Sequence, residues 1–184
     1  MPRTYAEAQA AIDAQMAHGP QFPTGTCQMQ CHNVYGIPSD GTPDATTGWA
    51  RSRDRHPSTD SHATPVGAFN HWVGGSHGHG HITIKHQKPN RDNSTDGPNG
   101  RNGYWNLIDP YTVTTVWGLR YVGWSWDIDG VSVKPPNTPV RKHPHIRTAI
   151  KATRIALARN HAGTRQHLAT ALSELLRALG GQKK

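Results

Sequence analysis

The stretch that most constrains this chain is Ser76-His77-Gly78-His79-Gly80-His81-Ile82-Thr83-Ile84. Glycines alternating with histidines specify a turn and the β-branched run after them specifies a strand, so His81 falls at the strand's start. A histidine in that position is held by a sheet. Upstream, Thr24-Gly25-Thr26 is a loop that opens a short helix over residues 27–35, and Gly36 stops it. Cys27 then stands at a helix N-terminus, where unpaired N–H groups and the positive end of the dipole favour a thiolate. A helix-start cysteine and a strand-borne histidine make a nucleophile and a base.

The rest of the chain supplies a scaffold for that pair. Thr4-Tyr5-Ala6-Glu7 fits a capping box, and the helix behind it places Ala8, Ile12 and Met16 on one face before His18-Gly19-Pro20 ends it. Cys27 and Cys31 lie one turn apart, with Val34 and Tyr35 continuing their face towards a core. Residues 36–64 are turn-rich around a short helix from Ala45 to Arg53, whose Trp49 is expected to anchor the core. Residues 65–73 read as a first strand burying Val66, Ala68 and Trp72; Gly74-Gly75 then turns the chain into the Ile82-Thr83-Ile84 strand. Residues 85–103 are polar and read as an exposed loop. Residues 104–108 and 112–116 read as strand or sheet edge, residues 117–126 as a closing strand, and residues 127–130 as a turn. Pro135-Pro136-Asn137-Thr138-Pro139 is a stiff linker. Beyond it, Ile146, Ala149, Ile150, Thr153 and Leu157, then Leu168, Leu172, Leu175 and Leu179, recur at helical spacing and predict an αα-hairpin.

Only 34% of the residues are hydrophobic, while 19 Gly, 14 Pro and 6 Trp are present, so the core must be small and aromatic-anchored with long loops. The net charge of +8 resides in the tail: residues 141–184 carry 10 Lys and Arg against one Glu. Such a tail suits an anionic wall polymer or a solvated face, and no groove-reading motif points to specific nucleic-acid binding. Two cysteines four apart make no disulfide framework, so reduced thiols are expected. The start of the chain has no apolar signal segment and no run of 18 apolar residues occurs, which predicts a chain made in the cytoplasm without a membrane span.

Taken in order, these features resemble the NlpC-type and CHAP (cysteine, histidine-dependent amidohydrolase/peptidase) cell-wall hydrolases, the compact forms in bacteriophage lysins above all. The resemblance spans about residues 20–133. It rests on Cys27 opening a helix that ends in Val34-Tyr35-Gly36-Ile37, the Trp49 helix, Pro65-Val66-Gly67-Ala68-Phe69 through Trp72, Gly80-His81-Ile82-Thr83-Ile84, Ser94-Thr95-Asp96, and the segment from Trp117 to Trp124. It implies a papain-like α+β fold, N-terminal helices packed on a small antiparallel sheet, with Cys27 as nucleophile and His81 as base. Asp96 is the candidate to orient the imidazole, with Asp92 and Asn106 close by in sequence. Cys31 competes with Cys27 for the nucleophile's role, and His77 and His79 share His81's alternation.

The expected organisation is a cysteine peptidase/amidase domain over residues 1–134, a Pro-rich linker over 135–144 and a basic amphipathic helical hairpin over 145–181. The expected activity is hydrolysis of a peptidoglycan amide by a Cys-His-Asp thiol mechanism, with no cofactor or metal. The protein would wait in the host cytoplasm until lysis or travel in the virion. The hairpin would hold an anionic wall polymer or a virion protein. The competing readings are a noncatalytic virion or wall-binding protein of the same fold, and a zinc site. Zinc at Cys27, Cys31 and His32, or at His77, His79 and His81, lacks a second ligand set at matching spacing.

Overall fold

The structure, a computed structural model, describes residues 1–136, which form one compact unit. The predicted hairpin over 145–181 and nearly all of the linker lie outside the described residues. The described unit is α+β: helices α1 (Tyr5–Met16), α2 (Cys27–Tyr35) and α3 (Ala45–Arg51) precede strands β1 (Arg55–Pro57), β2 (Phe69–Val73), β3 (His81–Lys85), β4 (Asp92–Asp96) and β5 (Asn102–Ile108). A short helix α4 (Tyr111–Thr115), strand β6 (Arg120–Ser125) and a small hairpin of β7 (Asp127–Ile128) and β8 (Val131–Ser132) complete it. Six strands pair antiparallel in the order β1-β6-β2-β3-β4-β5.

The helices form where caps allow. Thr4 accepts from the amide of Glu7 while Glu7 takes the Thr4 N–H at 2.7 Å, the reciprocal capping box. Gly36 closes α2 in the left-handed region at φ 64°, a conformation glycine adopts at no steric cost. Asp44 caps α3 through the Thr47 amide. Asp129 and Gly130, both at positive φ, make the two-residue turn between β7 and β8 that the Asp-Gly pair favours.

Alternation along the strands divides the sheet into two faces. One carries Phe69, Ile82, Ile84 and Trp105, packed with Ala8 and Ile12 of α1 and Cys31, Val34 and Tyr35 of α2. The other carries Trp72 and Ile108 with Val113 of α4, flanked by Trp117, Leu119 and Tyr121. His81 belongs to this second face, opposite the Ile82–Ile84 stripe, but stands at the strand's first position, where the start of α2 can meet it.

Several elements differ from their sequence reading. Met16 and Val66 are exposed rather than buried, and Gln9 takes a place on the inner side of α1 by bonding to Asn93. Residues 85–103 contain the buried strand β4 and the start of β5 rather than one open loop; Asp92, Asn93 and Ser94 are buried through hydrogen bonds to side chains of other elements, and Thr95 is buried with its hydroxyl unpartnered. Asp92 accepts from Asn70 at 2.7 Å, from Thr83, and lies 3.4 Å from the Lys85 ammonium. Residues 111–115, β-branched in sequence, are helical because Pro110 sets the backbone and Asp109 accepts the Tyr111 amide at 2.9 Å. Trp49 is only half-buried: its ring lies 5.0 Å from that of His71, with the Arg55 guanidinium 5.5 Å from its centroid.

Candidate active site

Cys27 opens α2, as its sequence context requires, and its side chain is 5% exposed. The backbone amides of Ile82, the residue after His81, of Gln28 and of Cys27 itself act on the thiol in the direction of the thiolate, against its burial. Helix α2 packs on β3, which brings the helix start to this strand. Cys31, one turn on, is fully buried in the core, and both thiols are free.

Three residues hold the imidazole of His81. Ser94 Oγ lies 2.9 Å from Nε2. The same hydroxyl donates to the Asp96 carbonyl at 2.6 Å and accepts from the Asp96 amide at 3.3 Å. A hydroxyl has one hydrogen and two lone pairs, and the hydrogen is committed to the carbonyl, so Ser94 can only accept from the ring. His81 therefore carries its proton on Nε2, and Nδ1 is the basic nitrogen. Nδ1 faces the Asp96 carboxylate, whose Oδ2 lies 4.0 Å away, beyond hydrogen-bond reach. The Trp117 ring stands edge-on to the imidazole at 5.3 Å.

Register explains this convergence. Ile84 pairs with Asn93 and Lys85 with Asp92, and the two-residue period puts His81 and Thr83 on the same face as Ser94 and Asp96. A bulge between Ser94 and Asp96 then turns the Asp96 backbone onto the Ser94 hydroxyl.

The electrostatics differ from the sequence expectation for Cys27. Burial pushes the thiol up to about 11; the Ile82 amide opposes this by more than the nearby Asp96 charge adds to it, yet falls short of offsetting the burial. Burial pushes His81 down to about 4, and raises Asp96 above the ordinary carboxyl range. Desolvation outweighs the helix N-terminus here because dipole and amide effects are worth about 1–2 kcal/mol, less than full burial of a charge. The resting pair is a thiol and a neutral imidazole, not a thiolate–imidazolium pair.

Beside His81 opens a cleft of about 370 Å³ lined by Thr24, Gly80, Asp96, Asn99, Trp117 and Leu119, among others. Gly80 is confined to this corner: its φ is +68°, and a side chain there would approach the Trp72 carbonyl oxygen at 2.3 Å. The structure thus brings Cys27, His81 and Asp96 to one corner and adds Ser94 as the imidazole's hydrogen-bonded partner. It leaves His77 and His79 exposed at the hairpin tip, stacked on each other at 5.8 Å. Asp92 belongs to the Lys85 network, and Asn106 bonds to the Arg101 and Tyr104 carbonyls. Ser94 belongs to the Ser94-Thr95-Asp96 stretch, which in sequence points to Asp96 rather than to the serine; the serine's own signal is only that it alternates with Asp96 on the strand after His81.

No family model, curated protein or solved structure matches the chain.

Proposed function

We propose that this chain is a peptidoglycan hydrolase of papain-like fold, cleaving an amide of the bacterial cell wall by thiol catalysis, with Cys27 as nucleophile, His81 as base and Asp96 beside them. One observation carries the reading: a helix-start cysteine close to the amide of Ile82, whose chain neighbour His81 is held in a single tautomer at the edge of an open cleft. Nδ1 of His81 takes the thiol proton as sulfur attacks the amide carbon. The C–S bond forms, the oxyanion is met by backbone amides at the start of α2, and the imidazolium returns the proton to the departing amine. Water then hydrolyses the thioester. The Asp96 carboxylate favours the imidazolium that forms in between. The protein acts on the wall from the host cytoplasm after permeabilisation or from the virion, and the basic segment 141–184 adds attraction to the anionic wall.

Purified peptidoglycan incubated with the protein tests this. The reading requires soluble fragments with new amine and carboxyl termini, whose masses name the bond cut. Intact walls of every cross-link chemistry tried would reject it.

A second reading, a noncatalytic virion or wall-binding protein of the same fold, is favoured by the deep burial and protonated state of the Cys27 thiol. It predicts wall sedimentation with the protein but no fragment release. In both readings no described helix is long and apolar enough to cross a membrane.

A further inference from the structure

A second cluster of reactive side chains lies outside the cleft, about one and a half turns along α2 from Cys27. His32 of α2, Asp129 at the tip of the β7–β8 turn and Asp40 in the connection from α2 to α3 bring ligand-capable atoms within 4.8 Å of one another. The side chains of His32 and Asp129 are each 2% exposed, and their Nε2 and Oδ2 atoms are 2.7 Å apart. Gln28 Nε2 donates to the same Asp129 oxygen at 3.0 Å. Asp40 sits at the mouth, where Thr42 donates to Oδ1 and Arg51 reaches Oδ2 at 3.4 Å.

The cluster is short of donors. His32 Nδ1, Asp129 Oδ1 and Gln28 Oε1 are buried without a partner, three of the nine such side-chain atoms among the described residues. A buried carboxylate oxygen facing no donor is costly, and Asp129 Oδ1 has neither a donor nor a cation, whereas Asp40 has Thr42 and Arg51 beside it. The helix makes room for this arrangement. A side chain on Gly48 of α3 would come within 2.5 Å of Gln28 Nε2 and 2.7 Å of Oε1, so a residue that costs a helix about 1 kcal/mol relative to Ala admits the amide that orients Asp129.

We propose that His32, Asp129 and Asp40 bind one divalent transition-metal ion, Zn²⁺ being the best match to one imidazole nitrogen and two carboxylate oxygens. Gln28 is a positioning residue that holds Asp129. The ion ties the helix bearing Cys27 to the β7–β8 turn and to the α2–α3 connection, and its two charges balance the two carboxylates. It is separate from Cys27 and His81, and the proposal stands whether or not those two residues catalyse anything.

The test is calorimetric titration of Zn²⁺ into the chelator-treated full chain, followed by thermal unfolding with and without the metal. Cys27→Ala is used as background so that the thiol cannot compete. One equivalent of tight binding with a raised unfolding temperature is expected. Asp40→Asn, on an exposed loop where the fold does not depend on it, should weaken binding about tenfold or more. The double variant His77→Ala/His79→Ala should leave the site intact. Absence of stoichiometric binding would overturn the proposal and leave His32 and Asp129 a buried hydrogen-bonded pair. Binding lost in the His77/His79 variant but kept in Asp40→Asn would overturn it too, as surface capture by exposed histidines.

Discussion

Replacing Ser94 by Ala isolates the step on which the proposed chemistry depends, the choice of imidazole tautomer. In the wild type the Ser94 hydroxyl fills all its bonding capacity: it accepts from His81 Nε2 at 2.9 Å and from the Asp96 amide at 3.3 Å, and donates to the Asp96 carbonyl at 2.6 Å. Alanine removes the acceptor from a ring that is only 4% exposed, and leaves the Nε2 proton unpaired. An unsatisfied buried group costs about 1–3 kcal/mol, and the variant can escape that cost by moving the proton to Nδ1, where it blocks the base. Expressed on the rate, the same range is roughly a 5- to 150-fold loss of kcat/KM, since about 1.4 kcal/mol is tenfold. The loss should appear in kcat, because Ser94 does not line the cleft, and thermal unfolding should confirm a folded protein. Fragment release from purified walls at several enzyme concentrations measures it. Wild-type turnover in Ser94→Ala across the pH range would refute the tautomer argument.

Further predictions follow from the same corner and from the buried histidines. Asp96→Asn should move two readouts in opposite directions: Cys27 alkylates faster, because a neighbouring negative charge is gone, while turnover falls roughly tenfold or more as the imidazolium loses its counter-charge, the effect of about one pKa unit. His81 must be neutral to act as base, so wall cleavage should fall only as pH drops through about 4, and a limb near 6.5 would contradict the burial argument. His71 and His81 have folded values near 3 and 4 against an ordinary 6.5, so the unfolded chain takes up protons first. Stability is therefore lost as pH falls from about 6.5 towards 3, at up to about 1.4 kcal/mol per pH unit for each group, and denaturant midpoints measured from pH 7 to 4 should decline accordingly. Gly80→Ala, forced into positive φ against the Trp72 carbonyl, should cost at least about 2 kcal/mol and abolish turnover, read by unfolding and wall clearing together.

The parts of this molecule legible in sequence are those set by local rules. The Thr4–Glu7 capping box, the Cys27 start and Gly36 stop of α2, the Asp129-Gly130 turn and the Ile82-Thr83-Ile84 strand are each decided by a few adjacent residues. Strand β4 was hidden because its polar side chains are buried through long-range pairing, Asn93 with Gln9 and Asp92 with Asn70, Thr83 and Lys85, which composition cannot reveal. The same pairing hides Ser94, whose role exists only once β3 and β4 are in register. The β-propensity of segment 111–115 is overridden by Pro110 at the helix start and by Asp109, whose carboxylate accepts the Tyr111 amide. The thiol's direction of shift is illegible in sequence for a comparable reason: the helix N-terminus is visible there, but the depth of burial that opposes it is not.

The most direct test of the central claim compares clearing of permeabilised cells and purified walls by the wild type, Cys27→Ala and Cys31→Ala. Both cysteines are buried on the same helix, so the loss of a buried thiol is common to the two variants. The account predicts that clearing disappears with Cys27→Ala and survives in Cys31→Ala. Clearing that survives the loss of Cys27, or that depends equally on Cys31, would contradict it.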